Sequence, residues 1–233
     1  MNSKLPSKAE FIKKLGKTKA TKEDKALVSV VYDFSLHHHL KAPARATGEH
    51  YFWHIYRAST SMLNDFILLG IFDLRMLLIE ILHDVIEDAR KAGFDPELVY
   101  RNVVRKFSAE IAYGTMAITK RDGEHSHDAL KRLITEHYWR SHGAKAYDRE
   151  DNLTTLHGMT LESQERKLAE TEKYFPAIFN RLEAEIRIRV ECGALPKEWL
   201  RLTPILRERQ KCLVEENRKR IAKEKKRLLR LRR

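Results

Sequence analysis

Residues 82–88 read Leu82-His83-Asp84-Val85-Ile86-Glu87-Asp88. Four ionisable side chains fall within six positions of a stretch that is otherwise large and apolar. His83 and Glu87 are four apart, as are Asp84 and Asp88, so helical spacing predicts that all four project toward one side. Burying such groups without partners costs several kcal/mol each, on the order of the penalty for desolvating an ion. A divalent cation removes that cost, because imidazole and carboxylate are both good ligands and the ion neutralises the acids. A lone His-Asp pair reads as a solvated helix face. Here Ile81, Leu82, Val85 and Ile86 surround it, which argues against full solvation.

Outward from this stretch the chain reads as helix nearly throughout. Gly (9) and Pro (6) are scarce among 233 residues, and no alternating Val/Thr/aromatic runs bounded by turn residues suggest strands. Apolar spacing predicts a helix over 26–40, a loop over 39–49 and a helix over 51–69. Asp73 is an N-cap for the helix that carries the quoted stretch, and Gly93 stops it. Asp95-Pro96-Glu97 starts the next. Further helices are expected over 96–106, 108–118, 126–140, 144–157 and 162–186, and Thr203-Pro204 opens a last one. The fold class is all-α, a compact multi-helix bundle.

Charge divides the chain. Residues 206–233 carry a net charge of +9 and residues 1–25 carry +5, so the body between them is nearly neutral although the whole is +12. A uniformly basic nucleic-acid-binding domain would look different. Two cysteines, Cys192 and Cys212, exclude a disulfide framework and point to a reducing, cytoplasmic setting. The longest apolar run, Phe66–Phe72, is too short to span a bilayer, which excludes integral membrane association. The expected organisation is a basic N-terminal segment over 1–25, a helical domain over 26–190 and a basic C-terminal extension over 191–233. The extension's apolar stripe (Leu206, Leu213, Ile221) is thin, so it reads as appended and removable. A solvated helix, contact with RNA or another acidic partner, and membrane-surface binding or oligomerisation all remain open for it.

Three more polar segments stand out: Arg45-Ala46-Thr47-Gly48-Glu49-His50-Tyr51-Phe52-Trp53-His54, Ile118-Thr119-Lys120, and Lys145-Ala146-Tyr147-Asp148-Arg149-Glu150-Asp151-Asn152. With Leu82–Asp88 and Ala169-Glu170-Thr171 followed by Tyr174, they occur in the order and spacing of a known family. Over roughly Leu27 to Leu182 the chain resembles the hydrolase domain of the RelA/SpoT-type alarmone enzymes, a branch of the HD phosphohydrolases, in its small stand-alone form.

The resemblance implies that His54, His83, Asp84 and Asp148 bind a divalent ion, Mn2+ above all, and that Glu87 and Asp88 orient and activate the attacking water. It places Arg45 beside the nucleotide, Asn152 and Thr155 near its base and sugar, and Tyr174 facing it. The implied reaction is hydrolysis of the 3′-pyrophosphate of guanosine tetra- or pentaphosphate (ppGpp, pppGpp) to GDP or GTP and pyrophosphate. The alternatives are an HD-type phosphohydrolase for another nucleotide such as NADPH, and a nucleotide-sensing RNA-binding protein without turnover. Ala46 departs from the basic residue common in the family. Glu150-Asp151 replaces Leu-His, and these two added charges are expected near the ion, where they would tighten it and repel a polyphosphate. His37-His38-His39 reads as a surface turn, and Trp53, Trp139 and Tyr147 as core or rim aromatics.

Overall fold

The computed structural model describes residues 5–231; the outermost residues of the two basic ends, 1–4 and 232–233, lie outside the described residues. Ten α-helices follow one another: α1 (Lys8–Leu15), α2 (Lys22–His39), α3 (Phe52–Leu69), α4 (Leu74–Leu82), α5 (Pro96–Lys106), α6 (Ala109–Ile118), α7 (Ser126–Thr135), α8 (Trp139–Thr154), α9 (Leu161–Glu191) and α10 (Leu202–Leu231). Their starts follow local chemistry. Thr21 and Asp24 form a reciprocal capping box on α2, and the Asp73 and Asp95 side chains accept from the first-turn amides of α4 and α5.

Helix α8 lies at the centre, packed against α3, α4, α9 and α10. Met62 and Phe66 of α3, Met76 and Leu77 of α4, Trp139 and Tyr147 of α8, and Phe175 and Ile178 of α9 meet in one core. Gly143 permits the α4–α8 approach: a Cβ there would sit 2.6 Å from the Met76 methyl carbon. Trp139 and Tyr147 are core aromatics, as their pattern suggested. Among the described residues, no helix is long and apolar enough to cross a membrane.

The chain departs from the sequence expectations in four places. First, α4 ends at Leu82, and residues 83–89 form a succession of tight turns with both three- and four-residue closures, Val85 N–H to Leu82 O at 3.0 Å and Asp88 N–H to Asp84 O at 2.8 Å. His83 and Asp84 therefore meet, while Glu87 turns to the Lys120 amide and Asp88 to Lys91, instead of all four sharing one helix face. Second, the helix expected over 126–140 breaks at 136–138. No Gly or Pro marks the break; His142 Nε2 and Arg181 Nε reach the Leu133 and Ile134 carbonyls at 2.8 and 3.0 Å and satisfy the end of α7 from outside.

Third, His37-His38-His39 is the last turn of α2, not a surface turn. His38 and His39 are buried, each Nδ1 paired with the carbonyl four residues earlier, and the His39 ring stacks on Tyr51 with centroids 5.2 Å apart. Burial lowers the His39 imidazole to about 4, opposed by the Ser35 carbonyl and by Asp84 and Asp88, so it is neutral at pH 7. Fourth, α10 does not stand off. Leu206, Gln210, Val214, Asn217 and Ile221 form a buried stripe along α8 and α9, and Val214 and Ile221 join Leu153, Leu156 and Leu168 in a second small core. Two of these five residues, Gln210 and Asn217, are polar, so apolar periodicity alone under-reads the stripe.

Candidate active site

Helices α3 and α8 and the turns after α4 bring His54, His83, Asp84 and Asp148 to one point. His54 Nε2 lies 3.1 Å from His83 Nε2 and 3.1 Å from Asp148 Oδ1; His83 Nε2 lies 3.0 Å from Asp84 Oδ2. His54 Nε2 lies 3.6 Å from Asp84 Oδ2 and His83 Nε2 3.6 Å from Asp148 Oδ1, and the donor atoms of His54, His83 and Asp84 all lie within 4.8 Å of one another. Donors bound to one ion at about 2.1 Å sit roughly 3.0 Å apart in octahedral and roughly 3.4 Å apart in tetrahedral coordination, so the cluster has the dimensions of a coordination shell. His54 and His83 are 1% and 2% exposed, so water does not offset the crowding.

The hydrogen bonds around the cluster settle what its donors can do. His83 Nδ1 faces the Glu80 carbonyl at 2.7 Å and His54 Nδ1 faces Asp151 Oδ2 at 2.7 Å. Both partners only accept, so each Nδ1 carries a hydrogen and each neutral Nε2 is a bare lone pair aimed at two carboxylate oxygens. Four convergent acceptors need a positive centre between them, and this donor set fits a divalent cation. When a proton takes that place it is held tightly. Burial works against the charged His83 ring, but Asp84, Glu80 and Asp148 more than offset it and hold its pKa well above the ordinary value. The same contact depresses the Asp84 carboxyl.

Glu87 and Asp88 leave this point in different directions. Glu87 Oε2 accepts from the Lys120 amide at 2.9 Å, so the Ile118–Lys120 turn carries the wall facing it. With Lys120, Lys145, Arg149, Lys167 and Ser126, Glu87 lines a cavity of about 130 Å³. Burial and Asp84 raise the Glu87 carboxyl above its usual range, opposed by Lys145 and the Lys120 amide. Asp88 is buried and paired with Lys91. Lys145 also bonds Asp148 Oδ2 at 2.8 Å and so joins the cavity to the cluster.

On the other flank Arg45 Nη2 donates to Asn152 Oδ1 at 2.9 Å and to Thr155 Oγ1 at 3.1 Å, and Asn152 in turn donates to Asp148. The 45–49 loop is seated against the turn after α8 at Gly158, where a Cβ would come within 2.8 Å of the Thr47 amide nitrogen. The structure thus brings His54, His83, Asp84 and Asp148 together and links Arg45, Asn152 and Thr155 to them through Asp148, with Glu87 and Asp88 on the adjoining turns. Tyr174 stands apart: its ring lines a separate hollow on α7 and α9 with His127, Lys131, Arg166 and Lys173.

Glu150 and Asp151 correct the expectation placed on them. Glu150 turns away from the cluster to Ser61 (2.7 Å) and Arg209 (3.0 Å). Asp151 faces the outer nitrogen of His54 and is paired with Arg57 at 2.6 Å. Neither adds an uncompensated charge toward a polyphosphate. Sequence reasoning missed Arg57, the cation that fastens Asp151, and Lys167 and Arg149 in the basic cavity. It also missed Glu80, fully buried on α4, with both carboxylate oxygens lacking a hydrogen-bond partner and Oε1 3.6 Å from His83 Nδ1. A lone acid in the run Leu77-Leu78-Ile79-Glu80-Ile81-Leu82 was the available signal.

Architecture and convergent donors together define an all-α HD-type fold. A solved structure described as a metazoan ortholog of SpoT, which hydrolyzes ppGpp and plays a role in starvation responses, shares this fold with a TM-score of 0.50 and 19% sequence identity, over 82% of this chain and 98% of that one. No family model and no curated protein matches the chain.

Proposed function

We propose that the chain is a metal-dependent phosphohydrolase that removes the 3′-pyrophosphate of ppGpp or pppGpp. The observation that carries this reading is the juxtaposition of a four-donor cluster with a cavity lined by four cations, with Glu87 between them. The likeness in fold to the SpoT ortholog supports the substrate class.

In this reading His54, His83, Asp84 and Asp148 hold the ion, and manganese fits the mixed imidazole and carboxylate set. A divalent ion there supplies Lewis acidity and a more acidic water. Glu87 takes the proton from the attacking water, and its raised affinity for protons suits a base of that kind. Asp88, held by Lys91, fixes the turn that presents Glu87. The water oxygen bonds to the proximal phosphorus of the 3′-diphosphate while the bond from that phosphorus to the ribose 3′ oxygen breaks. The 3′ oxygen leaves with a proton as a hydroxyl. Lys120, Lys145, Arg149 and Lys167 stabilise the charge on the departing diphosphate. Arg45, Asn152 and Thr155, already joined to each other and to Asp148, hold the nucleoside.

The test is pyrophosphate release from ppGpp by metal-stripped protein before and after manganese is added, with NADPH as a competing substrate. Turnover of ppGpp that requires the metal supports the proposal. Turnover of NADPH alone reassigns the substrate, and binding of ppGpp with no turnover of either nucleotide defeats the catalytic reading.

A further inference from the structure

The two histidines of the cluster are anchored differently. His83 is oriented by a neutral backbone carbonyl within its own turn. His54 is oriented by a carboxylate from another helix, Asp151, which is itself 6% exposed. Both Asp151 oxygens are in use. Oδ2 is shared between His54 Nδ1 at 2.7 Å and Arg57 Nη2 at 3.1 Å, and Oδ1 accepts from Arg57 Nε at 2.6 Å. Arg57 lies one turn after His54 on α3 and is fastened in turn by Glu49, through two hydrogen bonds of 2.7 and 2.6 Å. Asp151 is one turn past Asp148 on α8. Arg57 holds it on the outer side of the imidazole.

We infer that Asp151 is a positioning residue of the metal centre: locked by Arg57, it fixes the His54 ring with Nδ1 protonated and Nε2 presented to the cation, and makes that ring a stronger ligand. A carboxylate hydrogen-bonded to the far nitrogen of a ligating histidine raises ligand basicity and restrains rotation, and losing it commonly weakens metal binding about 10–100-fold. The arrangement also ties the centre to the 45–49 loop through Glu49 and Arg57. This inference rests on the metal reading proposed above.

The experiment uses the full-length, metal-stripped protein and manganese alone, without nucleotide, so that an error in the substrate leaves it unaffected. Free manganese is followed by electron paramagnetic resonance in the wild type and in Asp151→Asn, with Asp151→Ser used if the first variant does not fold. The expected result is one ion bound by the wild type and roughly 10–100-fold weaker binding by the variant with its cooperative melting retained. Equal affinities overturn the role. If the wild type binds no manganese, the metal reading fails, and imidazole 15N spectra at a pH where His54 is neutral then decide on Asp151. A single Nδ1-protonated form in the wild type and a tautomer mixture in the variant support the positioning role; the same form in both overturns it.

Discussion

Two buried clusters of charge lie along α3 and α8, and they are built on different plans. On the α10 side Asp65 accepts two hydrogen bonds from Arg209, at 2.8 and 2.6 Å, and one from Tyr147 at 2.7 Å, while Glu150 is matched by Arg209 and Ser61. Every acid there meets a cation or a hydroxyl. On the α4 side His54, His83, Asp84 and Asp148 converge on one another, with Tyr51 donating to Asp84 at 2.7 Å and Lys145 to Asp148 at 2.8 Å from outside. Burial is similar in the two places, so burial alone does not separate structure from function. The difference is composition: a guanidinium sits between the acids on the α10 side, whereas two imidazoles face two carboxylates on the α4 side. Acids bridged by a guanidinium tie helices together, whereas facing imidazoles and carboxylates form a donor set that suits a positive ligand.

The largest effects should come from breaking the imidazole–carboxylate cluster. His83→Ala or Asp148→Ala removes one of the four proposed ligands, and metal affinity is expected to fall by at least about 100-fold with activity lost alongside. Elemental analysis after desalting checks this, and stoichiometric metal retained in both variants would refute the ligand set. Breaking the guanidinium-bridged network should instead cost stability. Arg209→Met leaves Asp65 buried with the Tyr147 hydroxyl donating to it but no cation beside it, and the expected loss is about 3–5 kcal/mol in urea denaturation. Adding Asp65→Asn should recover part of it, while manganese binding by the folded fraction stays near normal. A variant as stable as the wild type would mean that the network is dispensable.

Glu87→Gln sharpens the contrast within the site. It removes a proton acceptor that is not among the four convergent donors, so metal should stay bound while hydrolysis slows by about 100-fold or more. Near-normal turnover with metal bound would shift the base assignment to Asp88. Glu80 yields the smallest effect and a pH signature. Burial pushes its carboxyl up to about 8 in the folded protein, from 4.5. The folded state therefore keeps a proton that the unfolded state releases, and wild-type stability falls as pH rises from 4.5 to about 8, then levels off. Glu80→Gln has no such proton to lose. Its stability relative to wild type should grow across that window, by about 1–3 kcal/mol, in denaturation of the metal-stripped proteins at pH 5 and pH 8. A pH-independent difference would show that Glu80 stays charged.

Much of this was legible in the chain itself. Helix α4 shows in Asp73 and the apolar spacing after it, and α5 in Asp95-Pro96, because capping is chemistry between near neighbours. His83-Asp84 was legible as a site because ionisable groups in an apolar run conflict with burial. The end of α7 was not legible, since the side chains that satisfy it come from α8 and α9. Nor was the docking of α10. Gln210 and Asn217 bury their amides against the Ala146 and Leu153 carbonyls, and polar residues in a packed stripe look like solvent-facing ones in a linear pattern.

The sequence by itself determined the all-α class, most helix starts and the residue types of a cation site, because propensity, capping and the cost of buried charge act over a few residues. The tertiary structure alone decided which acids the site uses. Glu150 and Asp151 are adjacent in the chain, yet one is turned to Arg209 on α10 and the other to His54 on α3. Successive residues of a helix point about 100° apart, so each meets a different neighbour, and the charge brought by that neighbour assigns the role.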